Sequence, residues 1–449
     1  MTAAPEAVAV EAAPGAPVGQ RVLVVAHYAS DRVSGESSIP LHIFRRLRAA
    51  GVEAWLLTHD SFRDELAELA RCEPGRVHFS PGLPGGRALL RWGEGLPDGP
   101  RSVAWALTQL ERQAAMWPLV RRLVREHGIT VVHQPIGVAP SIPSFMVGVG
   151  APVVAGPLNG GMSLPPAFAA RERRSGRALR SLRRPVNAFG HRVVPGRRRA
   201  SVVLVANERT RALLPGGLRG EVRVLSEIGV VSANWPYEPR RGHAGRLRAV
   251  FVGRLVDWKA VDLLVRAVGA VPDGPRVTLE IVGDGPERPA LESVVRRAGL
   301  GDRVRFLGWL QPDQTAAAVR RSDVLVLPSL REAGGAVLLE AMATGRPVIA
   351  SDWGGPADLV PAAAGILVPP ASPGEFVAAL ASELAALAED PDRRLAMGEA
   401  GRRHVEKHFD WDHLTGELLA AYELAAASMG TPDRHLMQGR PSTTGGTRR

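Results

Sequence analysis

Arg254 and Lys259, five residues apart, follow the apolar run Leu247–Val252 and stand where a helical pattern opens. Two cations so placed can reach one diphosphate and neutralise its charge without a metal. Glu332 and Glu340, separated by seven residues, lie in PSLREAGGAVLLEAMATGRPVIASD. Glu332 falls in the loop after the apolar run DVLVLPS, and Glu340 about one turn into the following helix. Between them Gly334 and Gly335 permit close backbone approach at a helix N-terminus, whose free amides and dipole favour phosphate. One carboxylate then points towards a neutral sugar-like group and the other towards a ribose. The same residues also read as an ordinary helix with an acidic first turn. Two glycine turns, Gly283-Asp284-Gly285-Pro286 and Asp352-Trp353-Gly354-Gly355-Pro356, end other apolar runs. Each alone is commonplace; the order and spacing of all four features are far harder to reach by chance.

The elements that position these residues alternate. RVLVVAHY, EAWLLTH, ITVVHQ, APVVAGPL and SVVLVANE read as buried strands interleaved with helical stretches such as IPLHIFRRLRAAG. A second series, LRAVFVGRL, VTLEIVGDG, RVRFLGWL, DVLVLPS, PVIASD and GILVPP, is separated by helical segments VDLLVRAVGAV, RPALESVVRRAG, AVLLEAMATG and FVAALASELAALAED. Such alternation predicts an α/β protein with parallel sheets covered on both faces. The polar, Pro/Gly-rich stretch near 233–247 divides two doubly wound halves. The predicted organisation is a disordered tail at 1–19, an N-terminal domain at 20–232, a linker at 233–247 and a C-terminal domain at 248–409. A helix at 410–430 would return to the first domain, and 431–449 form a second disordered tail. Ligands of open α/β sheets bind beyond the carboxyl ends of the strands, so the chemistry belongs in the cleft between the halves.

At 449 residues the chain fits two domains, and 45% apolar with 22% charged residues excludes global disorder. The single cysteine, Cys72, excludes a disulfide framework and any multi-cysteine metal site. No secretory signal is read at the N-terminus. The uncharged stretch Val131–Ala170 is long enough to span a membrane, but its seven prolines and six glycines argue for strands and loops of a soluble domain. The net charge of +11 is local, since Arg171–Arg199 holds eleven arginines against Glu172 alone. Within that segment Arg173, Arg174, Arg177, Arg180, Arg183 and Arg184 alternate with apolar residues as in a basic amphipathic helix, which would suit an anionic membrane surface. A solvated surface arm is the alternative. Nucleic acid is disfavoured as a partner, because interleaved aromatics and a reader motif are lacking.

The stretch Val250–Val368 resembles the donor-binding domain of GT-B glycosyltransferases, specifically the retaining group called family 4. The residues that carry this are VGRLVDWKAVDLLVRA, LEIVGDGPE, VRFLGWL, SDVLVLPS, EAGGAVLLEAMATGRPVIA and the glycine turn after it. The resemblance implies two Rossmann-like domains facing across a cleft, and transfer of a sugar from a nucleotide diphosphate sugar to an acceptor with retention. The acceptor it implies is a lipid-linked saccharide or glycolipid of envelope or exopolysaccharide synthesis. A small natural product is the alternative, and a GT-B phosphorylase or sugar-nucleotide epimerase a third reading. By the same resemblance Arg254 and Lys259 bind the donor diphosphate, with Gly253 and Gly283 in the surrounding turns. Glu332 would hold the hydroxyls of the transferred sugar, Gly335, Ala336 and Val337 would offer helix N-terminal backbone, and Glu340 would bind the ribose. His133, ending ITVVHQ, is similar to the family's active-site histidine, while a lone strand-end histidine reads equally as a satisfied structural residue; Gly35 in the loop after the first strand is similar to one of the family's paired glycines. Gly334 stands where the family often has a bulky residue, and Ala260 where glycine is frequent. No metal or other cofactor is implied. The expected location is the cytoplasm, with a peripheral seat on the inner face of the cell membrane if the basic segment binds there.

Overall fold

Apolar runs without alternation must be buried on both faces, and parallel sheets covered by helices provide that burial. The protein is described by a computed structural model covering residues 19–31, 35–83, 85–96, 98–135, 139–171, 190–240, 242–274 and 276–428. Strands β1 (Arg21–Ala26), β2 (Glu53–His59), β3 (Val77–Ser80), β4 (Val131–Gln134), β5 (Val153–Leu158), β6 (Val202–Val205) and β7 (Glu221–Val224) form one sheet, ordered β3-β2-β1-β4-β5-β6-β7. Strands β8 (Arg246–Val252), β9 (Arg276–Val282), β10 (Val304–Gly308), β11 (Val324–Leu327), β12 (Val348–Ser351) and β13 (Gly365–Val368) form the second, ordered β10-β9-β8-β11-β12-β13. The pairings are parallel in both sheets. This is the two-domain, doubly wound GT-B architecture.

β3 and β7 were not legible as strands. Each is a four-residue edge strand, VHFS or EVRV, with little of its surface buried and hence no apolar run. The long unassigned middle holds the helices Gly86–Glu94 and Asp98–His127.

In the N-terminal domain Val22, Val24 and Leu56 pack against Leu41, Phe44 and Leu47 of the helix Gly35–Ala49. Trp411, Leu414, Leu418 and Tyr422 of the last helix, Trp411–Ala427, complete that face. The opposite face buries Leu23, Val25 and Leu57 against Met116, Val120 and Leu123 of Asp98–His127. The last helix therefore belongs to the first domain. The chain crosses between domains twice, and the two crossings pair. Val230 N–H donates to Phe409 O at 2.8 Å, and Trp411 N–H to Val230 O at 3.1 Å.

A third tie runs from β5. Phe168, 1% exposed, inserts into the C-terminal core with its ring 6.3 Å from that of Phe376. Arg171 then pairs with Asp262 at 2.7 Å and Asp257 at 3.3 Å. Among the described residues no helix is long and apolar enough to cross a membrane.

Candidate functional site

Strand order reverses between β8 and β11, so the connections leaving these two neighbours diverge and open a crevice at their carboxyl ends. Lys259 and Glu332 are delivered there from opposite sides. Lys259 ends a single 3-10 turn, Asp257–Lys259, after β8, and Glu332 lies in the loop after β11. Their side chains form an ion pair and are 17% and 16% exposed. Arg254 stands two residues beyond β8, is exposed, and its side chain makes no ion pair or hydrogen bond with the described residues. It is anchored by its neighbour Leu255, which is fully buried and whose N–H donates to Asp284 O at 2.9 Å.

The glycine turns set the backbone around this crevice. Gly283 lies at φ +128, and a Cβ there would stand 2.0 Å from Gly253 O, so the β8 and β9 ends meet as bare backbone. Gly355 N–H donates to Glu332 O at 2.9 Å, and a Cβ at Gly355 would sit 2.3 Å from Ala333 O. The second turn thus braces the Glu332 loop.

Gly335 caps the helix Ala336–Ala343 in a left-handed conformation. Ala336 and Val337 occupy its first two positions, where N–H groups have no intrahelical partner and attract anions. Glu340 lies one turn further along. Burial pushes its carboxyl up to about 7, and no cation or donor among the described residues meets it.

The N-terminal domain contributes Asn159, Arg209 and Glu227, of which the sequence reading did not single out Arg209 and Glu227. Asn159, ending β5, donates through Nδ2 to Ala333 O at 3.0 Å and to Glu227 Oε1. Glu227, 6% exposed, is pushed up to about 7 by burial, against the opposing pull of the Asn159 amide. It faces Gly334: a Cβ at that position would meet Ile228 Cδ1 at 2.9 Å and Glu227 Oε1 at 3.3 Å. The space that a bulky residue would take at Gly334 is filled across the domain seam. Arg209 pairs with Asp358 at 2.9 Å and donates to Gly160 O at 3.2 Å, and its buried Nη2 has no hydrogen-bond partner. With Gly161, Met162, Ser163, Glu332, Trp353 and Gly354 it lines an interdomain cavity of about 230 Å³. Trp353 Nε1 closes that cavity by donating to Ser163 O at 2.7 Å.

His133 is placed differently from the expectation of an active-site histidine. It is fully buried, Nε2 donates to Gly156 O at 2.6 Å, and Nδ1 accepts from Tyr422 OH at 2.7 Å. Burial lowers its pKa to about 4, outweighing the Gly156 carbonyl. Both nitrogens are engaged and no face meets the cleft, so this geometry fits a structural histidine. Gly35 opens the helix Gly35–Ala49, while residues 32–34 of its loop lie outside the described residues. Arg173, Arg174, Arg177, Arg180, Arg183 and Arg184 also lie outside them.

Residues 246–386 match the family described as "Glycosyl transferases group 1". The chain is 34% identical over 239 residues to a 2-deoxystreptamine glucosyltransferase of Streptomyces kanamyceticus, covering 50% of this chain and 61% of the relative. It is 36% identical over 193 residues to a D-inositol 3-phosphate glycosyltransferase of Jonesia denitrificans, covering 40% and 44%. The chain thus spans about half the length of these curated relatives. The crystal structure of Anabaena HepE in complex with UDP superposes with a TM-score of 0.60 at 19% identity, covering 90% of this chain and 100% of that one.

Proposed function

We propose that this chain, whose residues 246–386 match the group 1 glycosyltransferases, moves a sugar from a nucleotide diphosphate sugar to a hydroxyl acceptor with retention. The observation that carries the reading is the meeting of Lys259 and Glu332 at the β8/β11 crevice, directly before the N-terminus of the helix Ala336–Ala343. In this reading an arriving diphosphate competes for Lys259, with Arg254 and the amides of Ala336 and Val337 sharing the charge. Glu332, released from its partner, accepts hydroxyls of the transferred sugar. Glu340 accepts ribose hydroxyls.

The acceptor oxygen attacks C1 on the face that the diphosphate leaves. The new C1–O bond forms as the C1–O bond to phosphate breaks, and the acceptor proton passes to a leaving phosphate oxygen. The cations and helix amides stabilise the departing charge, so this route calls for no metal. His133 is not assigned a part in it.

For the acceptor we favour a lipid-borne saccharide. The support is a helical hairpin in the first domain, where a Cβ at Gly93 would stand 2.8 Å from Ala104 Cβ. Around that crossing Trp92, Val103 and Trp105 are 60%, 54% and 47% exposed, and Leu83 and Leu107 nearby are 46% and 47% exposed. Aromatic and aliphatic groups held out to solvent on helices suit an amphiphile or a membrane surface. A small polyol acceptor is the second reading, favoured by the likeness to a 2-deoxystreptamine glucosyltransferase.

Calorimetric titration of UDP, GDP, dTDP and ADP in EDTA, on the wild type and Glu340→Ala, tests the donor half. One nucleotide should bind, and the variant should weaken it at least tenfold. If none binds, or if the variant binds it equally well, the donor assignment fails.

A further inference from the structure

The N-terminal domain holds a second cavity, of about 320 Å³, at the carboxyl ends of β2 and β3, lined among others by His59, Asp60, Gly82, Thr108, Glu111 and Arg112. Its groups are held in place rather than loose. His59 Nδ1 accepts from Ser61 N–H at 3.1 Å and lies 3.3 Å from Asp60 Oδ1. Glu111 Oε1 accepts from Leu83 N–H. Gly82 opens the space between them: a Cβ there would stand 3.1 Å from His59 Nε2 and 3.2 Å from Glu111 Oε1. A second glycine, Gly86, lies against the same carboxyl at 2.8 Å from its would-be Cβ.

Arg112 reaches back from the cavity wall to donate to His27 O at 3.3 Å. His27, 1% exposed, stands beside His59 at the end of β1 and has no hydrogen-bond partner at Nε2. A buried unpaired imidazole nitrogen next to a polar cavity marks a place where a further polar group belongs. Among the described residues, the formal charges lining the cavity are two carboxylates, Asp60 and Glu111, against the guanidinium of Arg112. It opens at the same carboxyl edge of the sheet as β5, whose Asn159 touches the donor domain.

We propose that this cavity is the acceptor subsite, and that it takes a hydroxylated six-membered ring carrying an ammonium group. This rests on the transfer reading above. Carboxylates accept from vicinal hydroxyls, Arg112 donates to ring oxygens, and the carboxylate in excess pairs with the ammonium. The ring is the shared chemistry of a free aminocyclitol or amino sugar and of a lipid-borne amino sugar.

The test is calorimetry on the full chain saturated with the nucleotide it binds. The probes are glucosamine, glucose, N-acetylglucosamine, 2-deoxystreptamine and octyl 2-amino-2-deoxyglucoside. The amine-bearing rings should bind at least tenfold tighter than glucose or N-acetylglucosamine. Asp60→Asn and Glu111→Gln should each remove most of that preference while nucleotide affinity stays unchanged, which also shows that the variants fold. Equal affinity for glucosamine and glucose, or a preference that survives both substitutions, overturns the proposal. Loss of nucleotide binding from the wild type would instead strike the transfer reading. A gain from the octyl chain that Trp92→Ser abolishes assigns the ring to a lipid-borne acceptor, and no gain assigns it to a free one.

Discussion

Replacing Glu227 by glutamine removes a titrating carboxyl from the domain seam while keeping an oxygen that can accept from Asn159 Nδ2. In the folded chain burial raises that carboxyl from an ordinary 4.5 to about 7. Between these values the folded state keeps a proton that the unfolded state has released. Stability therefore falls as pH rises from about 4.5 to about 7 and levels off above that. At about 1.4 kcal/mol per pH unit the full fall amounts to roughly 3 kcal/mol. Glutamine has no such dependence, so Glu227→Gln should gain on the wild type by up to that amount between pH 4.5 and pH 8. For a domain of this size the gain corresponds to roughly 5–10 °C in melting temperature. Differential scanning calorimetry of both proteins at pH 5, 6, 7 and 8, at constant ionic strength, measures it. Glu340 is also raised to about 7, but it is common to both proteins and cancels in the difference. A difference in melting temperature that stays constant across this range would refute the buried, proton-holding state of Glu227.

Lys259→Ala should lower turnover about 100-fold if Lys259 stabilises the leaving charge, and a variant within twofold of wild type removes it from the mechanism. Gly283→Ala should cost about 3 kcal/mol or more and abolish nucleotide binding, because its Cβ would strike Gly253 O. Gly299→Ala, also at positive φ but with nothing within 4 Å, should cost only about 1 kcal/mol; equal unfolding midpoints for the two variants would contradict the close crossing. The chain should sediment with vesicles containing phosphatidylglycerol and less with pure phosphatidylcholine, and Trp92→Ser with Trp105→Ser should weaken both. Sedimentation indifferent to lipid charge and to the tryptophans would count against a membrane seat.

The donor half was legible because its parts are contiguous in sequence. Two strand ends, one helix start and the turns between them lie within Val250–Val368, and a helix N-terminus after a buried run has a local signature in Gly335 and the apolar helix behind it. The substitution at Ala260 is a case where sequence and geometry meet. Its φ of +52 is the left-handed conformation that favours glycine, and it holds that strain, worth about 1 kcal/mol, while fully buried. The other half of the site is scattered over three separate strand ends. Asn159 after β5, Arg209 in the short helix after β6 and Glu227 in the loop after β7 are brought together by the order of neighbouring strands, and they meet the second domain at Ala333 and Asp358. His133 shows the converse failure: its end-of-strand position invites a catalytic reading, and what seals it is Tyr422, 289 residues away in the last helix. Gly334 joins the two cases. As a sequence feature it is a gap in a familiar pattern, whereas in the fold it is filled by Ile228 and Glu227 from across the seam. A side chain restored at that position would displace both, and with them the Asn159 bridge to Ala333. The loop that carries Glu332 is therefore positioned by the first domain as much as by its own.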